Sequence, residues 1–79
     1  MKVSKNQLLE IIGKALEKED VTMESSIHNT DEWDSLSQLS ILTDLDNVFE
    51  GKVSEIDGIA DAESISEIFD LLKNNSLIE

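Results

Sequence analysis

Three stretches of this chain repeat their apolar residues three and four apart, a period that only helices can gather onto one side. In the first, Leu8, Ile11, Ile12 and Ala15 follow the i, i+3, i+4, i+7 pattern, and Leu9 and Leu16 widen the stripe. In the second, Leu36, Leu39, Leu42, Leu45 and Val48 recur every third residue, with Ile41 and Phe49 alongside. The third holds Ile65, Ile68, Phe69 and Leu72. The chain has no proline, three glycines and only three aromatic residues, so it is poor in the turn and strand formers of an all-β fold.

The ends of these helices are also written in the sequence. Ser4 with Gln7 fits a capping box, and Val3 and Leu8 occupy the hydrophobic-staple positions. The first helix is expected to stop near Lys18, and Gly13 within it counts as a local cost of about 1 kcal/mol. Gly51 suits the stop of the second. Asp61 suits the cap of the last, and Asn74 and Asn75 its end. Residues 52–60 form a short irregular piece with one expected helical turn at 54–57. Residues 19–34 have no helical period. A connection this long is expected to be either functional or packed down by Val21, Met23 and Ile27. The last five residues are expected to fray. Together these features predict one all-α domain over residues 1–79, a small four-helix bundle of three main helices and one short one.

With 79 residues and no cysteine, the domain has neither a disulfide nor a thiolate metal site to stabilise it. Apolar packing must do so, and 39% apolar residues is adequate. No apolar run is long enough to span a membrane, and Lys2 and Lys5 precede no signal-peptide core, so a soluble, cytoplasmic monomer without membrane insertion is expected. The formal net charge of -12 argues against nucleic acid as a partner. It is unevenly spread. Residues 1–18 hold four lysines against two glutamates, and all the net acidity lies beyond them. A partner docking there would present basic residues, and salt would weaken it. Solvation alone also accounts for such acidity.

Catalytic and metal motifs are not found. His28 is the single histidine, and it reads as a solubilising residue. An EF-hand register from Asp44 puts Val48 at the fifth position and Phe49 where glycine is required. No nucleophile, base and orienter can be assembled around one histidine. A protein without its own catalytic site is expected.

One stretch remains, T-D-E-W-D-S-L-S-Q-L-S at residues 30–40. Ser35 before an apolar periodic run reads first as an N-cap, with Gln38 completing a capping box, or Asp34 caps and leaves Ser35 in the first turn. Trp33 reads as a loop anchor, with partner contact as the alternative. A hydroxyl at a helix start is also reachable by another enzyme, and the unpaired N–H groups there favour a phosphate ester.

Asp34-Ser35-Leu36, opening an amphipathic helix after a long loop, resembles the acyl carrier proteins. The resemblance covers almost the whole chain: length, acidity, scarce aromatics and helix order. It implies that Ser35 is the attachment point for 4′-phosphopantetheine, transferred from coenzyme A by a phosphopantetheinyl transferase. Asp34 would be the neighbouring acid that the transferase uses. Leu36 would help seat the second helix and offer an apolar contact. The arm would hold acyl groups, or aminoacyl groups for a dedicated ligase, for delivery to biosynthetic enzymes with basic docking surfaces. An exposed stripe of Ser37, Ser40, Asp44 and Asn47 would be read by partners. Leucines and isoleucines of the second and last helices would line any cleft sheltering an apolar cargo. Ser37 and Ser40 stand where the fatty-acid carriers place acids. Trp33 is more similar to specialised, stand-alone carriers. An unmodified acidic interaction module is the remaining alternative.

Overall fold

The computed structural model describes residues 3–78. Its α-helices are α1 (Lys5–Leu16), α2 (Ser35–Val48) and α3 (Ile65–Asn74). Between α2 and α3 lie two single-turn 3-10 helices, Val53–Glu55 and Ile59–Asp61. The domain is small and all-α. α1 packs against both α2 and α3, and α2 also meets both 3-10 turns. The short helix expected near 54–57 is therefore two separate turns. Ile56 between them is extended and Gly58 is left-handed at φ 86°, so no helix runs through.

α1 begins as its sequence dictates. Ser4 Oγ accepts from the Gln7 N–H at 3.2 Å, and Gln7 Oε1 accepts from the Ser4 N–H at 2.9 Å. Leu8, Ile12 and Leu16, four apart, are buried, while Leu9, Ile11 and Ala15 flank them. Each fully buried leucine or isoleucine contributes about 1.5–3 kcal/mol. The helix stops at Leu16, two residues before the expected Lys18. Glu17 turns left-handed at φ 56°, and the Lys18 N–H closes on the Gly13 carbonyl at 2.9 Å.

That closure changes the meaning of Gly13. A Cβ there would lie 2.8 Å from the Lys18 carbonyl oxygen and 3.4 Å from Val21 Cγ2. The glycine is required by the close return of the chain. Helix propensity alone would make Gly13→Ala stabilising by about 1 kcal/mol. Because the clash is with backbone, we expect the opposite sign, a loss of about 1–3 kcal/mol. Urea unfolding of the two proteins decides between them.

α2 departs most from expectation. Ile41, Leu45 and Phe49 are buried and Leu42 is half-buried, but Leu36 is 76% exposed, Leu39 62% and Val48 45%. Residues three apart fall about 60° short of a full helical turn, so the run from Leu36 to Val48 drifts by about 240°. No single face can hold it. The core takes Ile41, Leu45 and Phe49, and the first two leucines point to solvent. Leu36 therefore does not seat the helix.

α3 is capped by Ser64, whose Oγ accepts from the Glu67 N–H at 3.1 Å. Asp61, the expected cap, instead ends the second 3-10 turn. Ile65, Ile68 and Leu72 are buried and Phe69 is half-buried. At the other end, Asn75 Nδ2 donates to the Leu71 carbonyl at 2.8 Å, as its position suggested.

The tail after α3 is held rather than frayed. Ile78 is buried and forms a parallel bridge with Val3, and the Leu77 N–H bonds to the Leu72 carbonyl at 2.9 Å. Glu79 and Lys2, also named above, lie outside the described residues.

Backbone hydrogen bonds tie the long connection to the start of α3. The Ile27 N–H donates to the Glu63 carbonyl at 2.8 Å, and the Ile65 N–H to the Ser25 carbonyl at 3.0 Å. His28 joins the same seam, with Nε2 2.9 Å from Glu63 Oε2, so it has a structural contact beyond solvation. Val21 and Met23 pack on the core, whereas the Ile27 side chain is exposed. Lys18 bridges Asp20 at 3.2 Å and Glu32 at 3.7 Å, tying the two ends of the connection together. Hydrogen bonding and attraction from Asp20, aided by Glu32, raise the Lys18 pKa above its ordinary value.

Candidate functional site

Trp33, Asp34, Ser35 and Leu36 stand together at the start of α2, and Ser40, Asp44 and Asn47 lie further along it. Asp34 is extended there, and its Oδ1 accepts from the Ser37 N–H at 2.9 Å. It is Asp34, not Ser35, that caps the helix. The hydrogen bond from the Ser37 backbone N–H holds the Asp34 carboxyl below its ordinary pKa. Ser35 is the first helical residue and is exposed. Its hydroxyl is thus spared the capping role that local sequence favoured.

The lowered Asp34 pKa has a pH consequence. The folded protein binds this proton more weakly than the unfolded chain does. The resulting stabilisation is present above the unfolded value near 3.8 and is lost as pH falls through the folded value. Asn caps about as well as Asp but does not titrate. The difference in Tm between wild type and Asp34→Asn is expected to turn against wild type as pH drops below about 4. Taking the difference cancels the other carboxylates, which titrate in both proteins. A difference constant from pH 6 to pH 2 would contradict the capping role.

Trp33 is 2% exposed and anchors the loop. Its Nε1 donates to Gln38 Oε1 at 2.6 Å. Gln38 does not complete a capping box. Its Nε2 donates to the Ala60 and Ala62 carbonyls at 3.2 and 3.1 Å. Sequence reasoning missed this role. The available signal was a long amide on the flank that carries Ile41 and Leu45, where a polar group requires partners.

The proposed partner-reading stripe divides. Ser40 and Asn47 are exposed. Ser37 is half-buried, and its hydroxyl donates to the Glu32 carbonyl at 2.6 Å, so it is committed to the loop. Asp44 is half-buried beside a groove of Lys14, Glu17, Ser40 and Thr43. The other acid on this helix, Asp46, ties it to the first 3-10 turn, accepting from the Ser54 N–H at 3.1 Å. The outer face of α2 carries Leu36, Leu39, Ser40, Thr43 and Asn47, all exposed. Two neighbouring leucines in solvent, in a domain with so little apolar residue to spare, are its most unusual surface feature.

No described helix is long and apolar enough to cross a membrane. Comparison of the chain with family models, with curated proteins and with solved structures gives no match.

Proposed function

We propose that this chain is a carrier protein in which Ser35 bears a covalent 4′-phosphopantetheine arm. One observation carries the reading: Asp34 caps α2, which leaves the adjacent Ser35 exposed and free of a capping duty. The residues fit such a group. The hydroxyl stands at the rim of the fold, on a helix of 14 residues, and its attachment would disturb no buried side chain. The fit is one of access more than of phosphate affinity, because the Asp34 carboxylate already takes up a first-turn N–H group.

In the loading reaction Ser35 Oγ would attack the β-phosphorus of coenzyme A. The new O–P bond forms as the pyrophosphate O–P bond breaks, the serine proton passes to a base of the transferase, and adenosine bisphosphate leaves. Once attached, the arm supplies a terminal thiol able to carry acyl or aminoacyl groups as thioesters. The chain's own residues position and dock. Leu36 and Leu39 offer an apolar contact beside Ser35, and Ser40 and Asn47 offer hydrogen bonds. The net charge of -12 steers partners with basic rims toward them. Chemistry on the cargo belongs to the transferase, the ligase and downstream biosynthetic enzymes.

The two exposed leucines also favour a second reading, an unmodified acidic module that binds protein partners through α2. Intact mass after incubation with coenzyme A and a broad-specificity transferase separates the two. The carrier gains one phosphopantetheine, and the module gains nothing.

A further inference from the structure

Among the described residues, Gln38 supplies the side-chain hydrogen bonds across the seam between α2 and the 60–62 segment, and further along the helix a groove lined by Leu42, Asp46, Ile59 and Ala60 stays open. Gln38 lies three residues after Ser35, about 4.5 Å further along the helix axis. Its amide joins three pieces of chain: the Trp33 indole at 2.6 Å, the Ala60 carbonyl at 3.2 Å and the Ala62 carbonyl at 3.1 Å. Both amide hydrogens and one oxygen lone pair are used. Ile41 of α2, Ile59 and Ile65 are buried in one shared core.

We propose that Gln38 is a specificity-determining latch that holds cargo carried at Ser35 outside the core. The proposal rests on the carrier reading above and names its cargo: short or polar acyl and aminoacyl groups rather than long alkyl chains. Opening the seam leaves the part-buried Trp33 indole N–H and Ala62 carbonyl without partners, a fixed cost, while the exposed Ala60 carbonyl turns to water. The gain from burying a cargo grows with each methylene. A latch of this kind therefore discriminates by chain length. No hydrocarbon side chain at position 38 reproduces it, and a glutamate would turn an oxygen toward two carbonyl oxygens.

Two variants test it. Gln38→Ala removes the side chain, and Gln38→Met keeps its volume but removes all three hydrogen bonds. In the protein without an arm, amide exchange is measured at Asp61 and Ala62, whose N–H groups bond to the Gly58 and Ile59 carbonyls. Both variants are expected to raise exchange there about tenfold while leaving α1 unchanged. Equal exchange in variants and wild type would overturn the latch. The protein is then loaded with acetyl- or octanoyl-phosphopantetheine, and the methyl resonances of Ile41, Ile59 and Ile65 are recorded. Wild type is expected to give the same spectrum with both cargoes, and the variants to shift with octanoyl only. Octanoyl shifts of the wild-type core would overturn the proposal. If wild type accepts no arm, the carrier reading fails and takes the cargo assignment with it, while exchange at Asp61 and Ala62 still reads the latch itself.

Discussion

Ser35→Ala is expected to abolish phosphopantetheine attachment completely while leaving the fold as it is. The loss should be all-or-none, because the variant has no oxygen at the position to be esterified. Wild type, incubated with coenzyme A and a broad-specificity transferase, is expected to gain one group by intact mass, and Ser35→Ala none. Ser40→Ala, which removes another exposed hydroxyl of α2, keeps the full gain. The fold is unaffected because the helix cap belongs to Asp34. Alanine at an exposed first-turn position changes stability by no more than about 0.5 kcal/mol. Circular dichroism and Tm should therefore match wild type. Attachment persisting in Ser35→Ala would move the site to another residue. A variant that lost helicity would show that Ser35, not Asp34, carries the cap.

The second large effect concerns which side of α2 faces inward. Leu45→Ala and Ile41→Ala are each expected to cost about 2–5 kcal/mol, the transfer free energy of the lost groups plus the cavity they leave. For a domain of this size that is a large share of a total of about 4–12 kcal/mol. Leu36→Ala and Leu39→Ala, on the solvent side of the same helix, should stay within about 0.5 kcal/mol. Urea midpoints of the four variants give a sharp contrast between residues of the same chemical type. A Leu39→Ala variant as destabilised as Leu45→Ala would mean that the every-third pattern describes the core after all. The two exposed-face variants have a further use. Where they leave the midpoint alone but weaken association with a transferase or ligase, the leucines serve recognition.

Much of the fold could be read locally. The Ser4–Gln7 capping box, the Asn75 ending of α3 and the anchoring of Trp33 each depend on residues within a few positions of one another. What escaped was set by distant chain. Gly13 looks like a weakness in a helix until the Lys18 carbonyl returns to within 2.8 Å of where its Cβ would be. Ile78 looks like a loose tail until Val3 pairs with it. The face of α2 was misjudged for a different reason. Leucines three apart satisfy a pattern match pair by pair, yet their drift around the axis grows with every step. At the candidate site, the position of Asp34, Ser35 and Leu36 was legible because helix starts are local events. The division of labour between Asp34 and Ser35 was left open, since both are good caps. The bridge made by Gln38 could not be read, because two of its three partners lie more than twenty residues away.

The pairing of Val3 with Ile78 makes residues 3–78 almost a closed ring. A short linker joining those residues would span little distance, and new ends opened in the exposed stretch at residues 57–58 would interrupt no α-helix. A circular permutant of that kind would keep the same packing with a different order of synthesis. A connection made at Val3 and at Ile78 would also leave the fold from a single pole, so residues 3–78 can be inserted as a cassette into a loop of another protein without being stretched.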